Sequence, residues 1–265
     1  MQDPVTRFSN RVENYAKYRP GYPAELVTIL NSECGLTESS LIADVGSGTG
    51  ILSKLFLRNG NKVFGIEPNA PMREFAQRDL SECPRFVSVD AAAEATTLEP
   101  ASVDFITAGQ AFHWFDQEKC KREFKRILKP GGWVILIWNE RRIDSTPFLR
   151  DYENLLLRYG TDYQKIRHEN VAADIDGFYA PETFKLRSVD NVQHFDFESL
   201  KGRTYSASYT PEPGDPNFDV MISDLEHIFN AHQFDGKVDF EYDTRMYYGR
   251  MSEPPALAGG SVAEP

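Results

Sequence analysis

Residues 41–55 read LIADVGSGTGILSKL. An apolar run holding one acid, Asp44, is followed by glycines at 46, 48 and 50, then by Ile51, Leu52 and Leu55 at helical spacing. That order predicts a buried strand, a tight turn and an amphipathic helix. Glycines at alternate positions let bare backbone N–H groups and a helix start approach a ligand closely. The spacing is GxGxG, whereas a turn that seats a pyrophosphate favours GxGxxG. Asp44 adds negative charge beside the loop, which disfavours a phosphate and suits an ammonium group. Glu67 closes the next apolar run, KVFGIE, 21 residues after Gly46. An acid there can accept hydrogen bonds from the hydroxyls of an adenosine ribose. Glycine turn and acid together fit either a nicotinamide or a sulfonium cofactor.

Outward from this unit, the texture of residues 36–140 is that of alternating strands and helices. Asn69 is placed to cap a helix with Pro71 in its first turn and Met72, Phe75 and Ala76 on its apolar face. RFVSV and SVDFITA read as further strands, Asp116 as the cap of QEKCKREFKRILK, KPGG as that helix's end, and WVILIW as a fully apolar strand. Short apolar strands between amphipathic helices predict a parallel sheet covered on both faces. The expected fold is α/β: a Rossmann-like, doubly wound, mainly parallel seven-stranded sheet with an antiparallel C-terminal strand and a helical lid. The organisation expected is a helical cap at 1–35, a core at 36–140, a lid at 141–236, an edge strand at 237–251 and a disordered tail at 252–265.

Composition narrows the partners. The 265 residues are 41% hydrophobic and 26% charged, and the formal charge is −11. An acidic chain is poorly equipped to neutralise phosphates, so nucleic acid is not an expected partner. No stretch approaches the roughly 20 apolar residues of a membrane helix, and the first residues lack a signal peptide's pattern. The expectation is a soluble, cytoplasmic protein, monomer or homodimer, acting on a small molecule. Cys34, Cys83 and Cys120 are odd in number and form no CxxC, which fits reduced thiols. Five scattered histidines offer no metal-binding pair, so no metal is expected. Neither a GxxxxGK[ST] loop nor a GxSxG elbow is present.

ADVGSGTG, GIEPNAPM, SVDFITAGQAFHWFD and LKPGGWVIL, taken together, resemble the class I S-adenosylmethionine-dependent methyltransferases. Within them the likeness is to the methyltransferase type 11 group, similar to trans-aconitate methyltransferases. It runs over roughly residues 8–251, with FSNRVENYAKYRPGYP resembling the group's N-terminal cap. The resemblance implies S-adenosyl-L-methionine as cofactor and S-adenosyl-L-homocysteine as product. Cofactor contacts are then expected from Gly46, Ser47, Gly48 and Gly50 on the main chain, Asp44 on the ammonium, Glu67 with Pro68 at the ribose, and Met72 against the adenine. Ala92, Ala93 and Glu94 correspond to the segment that meets the adenine edge. Many relatives carry an acid where this chain has Ala92, which leaves Asp90 as a substitute.

Arg19, in YRPGYP, is a natural partner for the cofactor's carboxylate, being permanently charged and able to bind it through two bonds. Ala108, Gly109 and Gln110 end the fourth strand, at the carboxyl edge where open parallel sheets bind ligands. His113 is the candidate general base, with a positioning donor or a structural histidine as the other readings. Tyr15, Tyr18, Tyr22, Trp114, Trp138, Asn139 and Tyr209 are candidate substrate contacts, with Tyr205, Ser206 and Ser208 beside them in the lid. The function expected is methyl transfer to an oxygen or nitrogen of a small acceptor, possible carboxylates included. A nicotinamide-dependent oxidoreductase and a non-catalytic S-adenosylmethionine-binding protein are the alternatives.

Overall fold

The structure is a computed structural model that describes residues 12–161, 163, 171–207, 209–211 and 214–251. The expected tail, 252–265, lies outside the described residues, as does Ser208. Seven strands form one sheet in the order β3-β2-β1-β4-β5-β7-β6. The strands are β1 (Leu41–Val45), β2 (Lys62–Ile66), β3 (Phe86–Val89), β4 (Val103–Gly109), β5 (Leu128–Arg141), β6 (Phe184–Phe195) and β7 (Val238–Arg250). The first five are parallel, and β7 runs antiparallel to both β5 and β6. Chain order reverses between neighbours β1 and β4, which opens a crevice at their carboxyl ends.

Helices α1 (Val12–Tyr18), α2 (Glu25–Cys34) and α3 (Ile51–Arg58) precede α4 (Ala70–Asp79) and α5 (Gln117–Ile127). Asn69 caps α4 by accepting from Met72 N at 3.0 Å, and Asp116 caps α5 by accepting from Lys119 N at 3.1 Å. One face of the sheet buries Leu26, Leu30, Leu52 and Phe56 from α2 and α3. The other buries Cys120, Phe124 and Ile127 from α5, with Ile175 and Phe178 from α7 (Val171–Tyr179). The cysteines Cys34, Cys83 and Cys120 carry free thiols.

Three details depart from the sequence expectation. KPGG does not simply end a helix: α5 stops at Ile127, Leu128 already pairs with Val103, and the register then jumps so that Phe105 faces Trp133. Residues 129–132 are thus the excess length of a bulge, with Gly131 at φ +79°. The C-terminal strand is not the edge, because β7 lies between β5 and β6. The edge is β6, which falls inside the stretch expected to be lid alone. Its burial is interrupted, with charged and polar residues at most positions, so it lacks the apolar signature of an interior strand.

The remaining helices, α6 (Pro147–Tyr159), α8 (Phe197–Tyr205) and α9 (Phe218–His232), build a third core around the ends of the antiparallel strands. There Phe148, Tyr152, Leu200 and Leu225 pack with Phe195 of β6 and Phe240 of β7. The N-terminal helix docks on this unit: a Cβ on Gly202 of α8 would fall 2.1 Å from the Tyr18 ring. Gly202→Ala is expected to cost about 1–3 kcal/mol by overpacking. Urea unfolding of Gly202→Ala, Tyr18→Ala and the double variant checks this, with the double variant less destabilised than the two single effects added.

Candidate active site

Gly46, Gly48 and Gly50 hold φ values of +66°, +55° and +82°, a region that side chains rarely enter. Ile66 O accepts from Gly46 N (2.9 Å) and Ser47 N (3.1 Å), so the turn folds back on β2. The glycines are required for different reasons. A Cβ at Gly46 would strike Ala111 at 2.7 Å, and one at Gly50 would strike Leu80 at 2.8 Å. At Gly48 the nearest atom would be Met72 Sδ at 3.7 Å, so backbone faces open cleft there.

Two lobes meet over this turn. Gly46, Gly48, Gly109, Gln110, Tyr15 and Trp114 line both of them. Gln110 has a positive φ of +54°, a strained conformation for a residue with a side chain, and its Nε2 donates to Asn139 O at 2.9 Å. The first lobe sets Asp44 and Arg19 among Tyr22, His113 and Tyr209. The second is largely apolar, walled by Pro68, Met72, Ala92, Ala93, Ala111 and Phe115, with Glu67, Asn69 and Glu94 as its polar members.

Asp44 is fully buried and accepts from Ser53 Oγ (2.6 Å) and Thr107 Oγ1 (3.1 Å). Burial lifts its carboxyl to about 7, against the pull of those hydroxyls, and the nearby Glu67 carboxylate adds to the rise. Burial also raises Glu67, which accepts from Asn69 N at 2.8 Å and Gly48 N at 2.9 Å. Arg19 donates through Nη2 to Ser206 O at 3.1 Å and lies over the Tyr15 ring, while its Nε is buried without a partner. Burial and the neighbouring Arg203 guanidinium depress its pKa. A buried acid and an under-used guanidinium in one lobe match the two charged ends of an amino acid. An apolar slot with a carboxylate beside it matches a nucleoside. The residues present therefore fit an adenosyl amino acid.

The chain is similar to known methyltransferases over part of its length. Residues 43–136 match the family described as "Methyltransferase domain". This segment is therefore similar to methyltransferase domains. An uncharacterized methyltransferase of Schizosaccharomyces pombe is 32% identical over 153 residues, which cover 56% of this chain and 58% of the relative. A Saccharomyces cerevisiae protein named as a probable S-adenosylmethionine-dependent methyltransferase is 23% identical over 293 residues, 94% of this chain and all of that protein. The chain spans just over half the length of the first curated relatives it matches, 55% to 59%. A solved structure from Anaeromyxobacter dehalogenans, named for a type II methyltransferase, shares the fold. Its TM-score is 0.67 at 21% identity, covering 89% of this chain and 100% of that one.

Within the matched segment and its flanks, most of the expected site residues converge. Tyr15, Arg19, Tyr22, Asp44, Ser47, His113, Asn139 and Tyr209 line the first lobe, and Glu67, Pro68, Met72, Ala92 and Ala93 the second. Several do not reach the cleft. Trp138 is 1% exposed and packs edge-on to Phe112 and Tyr247, because alternation along β5 turns it to the opposite sheet face from Ile137. Ala108 is fully buried for the same reason, and Gly50 serves the packing of α3 on α4. Tyr18 is turned onto α8, and Tyr205 stacks on Phe218. Asp90 is exposed and paired with Arg73.

Asn139 lines the cleft but is already engaged: Oδ1 accepts from Thr244 Oγ1 (2.5 Å) and Asn191 Nδ2 (3.1 Å), and Nδ2 donates to Gly21 O (3.2 Å). It fastens the YRPGYP arm over the cleft. Sequence reasoning missed Phe115 and Arg73. Phe115 lies one residue beyond Trp114, and its ring sits against Gly46. Arg73 donates to Glu67 O (2.9 Å) and Pro68 O (3.2 Å), holding the loop that carries the acid. Among the described residues no cluster of three His, Cys, Asp or Glu is built to hold a metal, and no helix is long and apolar enough to cross a membrane.

The raised Asp44 pKa has two pH consequences. In the unliganded protein this group binds its proton more tightly than in the unfolded chain, so its contribution makes folding less favourable as pH rises from about 4 to about 7. An ammonium ligand requires the ionised form. Calorimetry should therefore show S-adenosylhomocysteine binding weaken as pH falls from 8 to 6, approaching about tenfold per unit below the Asp44 pKa. Asp44→Asn should bind weakly with most of that pH dependence gone.

Proposed function

We propose that this protein transfers a methyl group from S-adenosylmethionine to an oxygen or nitrogen atom of a small acceptor. The observation that carries the reading is that Asp44 and Arg19 line one lobe, with Gly46 and Gly48, and that this lobe shares its lining with the apolar slot beside Glu67. When bound, S-adenosylmethionine supplies an electrophilic methyl group on a positively charged sulfur. Asp44 holds the ammonium end and Arg19 the carboxylate end. Glu67 keeps lone pairs beyond those given to Gly48 N and Asn69 N, and these take the ribose hydroxyls. Met72, Pro68, Ala92 and Phe115 cover the adenine.

The chain's own part in the reaction is alignment and exclusion of water. Fixing a nucleophile in line with its target is worth about 7–11 kcal/mol in well-oriented reactions. Tyr15 and Trp114 present aromatic surface where the two lobes meet, with Tyr22 in the first lobe, a suitable setting for positive charge. Burial holds Tyr22 well above the ordinary phenol range, so its hydroxyl stays neutral. His113 lines the same lobe, packed on the Trp114 ring at 4.7 Å. A phenol or alcohol acceptor needs it as a base. A carboxylate acceptor arrives ionised and needs none.

Two measurements test this reading. Glu67→Gln should weaken S-adenosylhomocysteine by about ten- to a hundredfold, the worth of hydrogen bonds to a charged group. Binding of NAD instead of S-adenosylhomocysteine would overturn the assignment. Transfer of labelled methyl to a panel of small carboxylates, phenols and amines then identifies the acceptor class. Full turnover of His113→Ala on that acceptor would remove the base.

A further inference from the structure

The edge strand β6 pairs with β7 over twelve consecutive residues, Phe184–Phe195, with no shift in register. It contains no proline. Long, regular edges of this kind invite another strand unless charged side chains or a bulge block them. The charges on β6 are committed elsewhere. Lys185 and Arg187 turn back to Glu33 of α2 at 3.0 Å each, Asp190 binds Arg142 at 2.5 Å, and His194 binds Asp239 at 2.6 Å. The strand also displays two of the chain's exposed large apolar side chains, Leu186 at 45% and Val192 at 47%.

Their spacing points to the occupant. Leu186 and Val192 are six residues apart and therefore on one face of the sheet. If a second β6 pairs antiparallel about a two-fold axis through Val189, Leu186 of each copy falls directly opposite Val192 of the other. Lys185 then faces Gln193, Arg187 faces Asn191 and Ser188 faces Asp190, so no like charges meet directly. The two Asp190 carboxylates lie diagonally across the axis, each held by its own Arg142. Shifting the register by two residues in either direction sets Leu186 against Asp190 or His194 and breaks the apolar match.

We propose that this chain forms a symmetric homodimer by antiparallel pairing of β6 with its own copy, in the register that joins Leu186 to Val192. The pairing extends one seven-stranded sheet into a continuous fourteen-stranded one and adds about ten backbone hydrogen bonds. A two-fold interface of one strand per partner is small, so the association is concentration-dependent. It does not rest on the methyl-transfer reading.

Light scattering on gel-filtered protein from about 1 to about 100 µM reads the result. The expected mass rises to that of two chains. Leu186→Lys and Val192→Glu should each weaken the dimer about tenfold or more, since each substitution acts twice across the axis. The double variant, Leu186→Lys with Val192→Glu, should recover it. Lysine and glutamate are about 20 Å apart within one strand and can meet only between copies. The like-charged control, Leu186→Glu with Val192→Glu, should stay monomeric. A wild-type chain that is monomeric throughout overturns the proposal. So do single variants that leave the mass unchanged, or a double variant no better than either. Both positions are exposed, and far-ultraviolet dichroism confirms that the variants are folded.

Discussion

The turn between β1 and α3 is held by one carbonyl and one carboxylate. Ile66 O takes the N–H groups of Gly46 and Ser47, and Glu67 takes those of Gly48 and Asn69. Both acceptors lie at the end of β2, so the glycine turn, the tip of the neighbouring strand and the cap of α4 form one unit. This unit tolerates no Cβ at Gly46 and keeps three alternate positions, 46, 48 and 50, at positive φ. The cleft floor depends on it. Without Glu67 the β2–α4 loop would rest on Arg73, which holds only its carbonyls. The same carboxylate is thus both a structural tie and the polar group facing the apolar lobe, and its burial leaves it short of positive charge.

Burial without a cation is the shared feature of the cleft acids. Asp44 has two hydroxyl donors and Glu67 two amide donors, and neither has a lysine or arginine in direct contact in the structure described. Neutral donors stabilise a buried carboxylate only in part, so burial outweighs them and both pKa values move up. Arg19 shows the reverse: a cation in the same lobe with Arg203 rather than an acid as its strongest charged neighbour. Asp44 and Arg19 line the same lobe, yet Asp44 is held by hydroxyls and Arg19 by a backbone carbonyl and an aromatic ring. Such an arrangement is costly to an empty protein and becomes favourable when a zwitterion enters.

The parallel half of the fold was legible in the sequence because its signals are local. Strand, glycine turn, helix stop and cap lie within a few residues of one another, and Asn69 and Asp116 cap where their side chains predict. Asp44, Gly46, Gly48 and Glu67 follow from the same short-range pattern. Residues were misplaced where the answer depended on which way a strand faces. Trp138 and Asn139 are adjacent, and only the pleat of β5 decides that the amide reaches the cleft while the indole enters the core. The edge strand β6 was missed because its apolar positions are sparse, and β7 was placed at the edge because sequence order says nothing of sheet order. The bulge at 129–132 likewise arises from a tertiary demand, the pairing of Leu128 with Val103 before Trp133 meets Phe105.

Floor and roof of the cleft come from opposite halves of the molecule. The floor is the parallel half, with Asp44 in β1, Glu67 just past β2 and Gln110 just past β4. The roof is the arm from Tyr15 to Tyr22, and it is anchored almost wholly on the antiparallel half. Asn139 on β5 and Asn191 on β6 both donate to Gly21 O, Gln193 on β6 donates to Tyr18 O, and Ser206 receives Arg19. Thr244 on β7 fixes the Asn139 amide in turn. The two halves share the long strand β7, whose Val238, Phe240 and Tyr242 pack in the helical unit while still paired with β6, and Arg141 at the end of β5 bonds Glu153 of α6. The glycine turn and its carboxylate are thus built by one half of the molecule, while Arg19 and Tyr209 are held by the other.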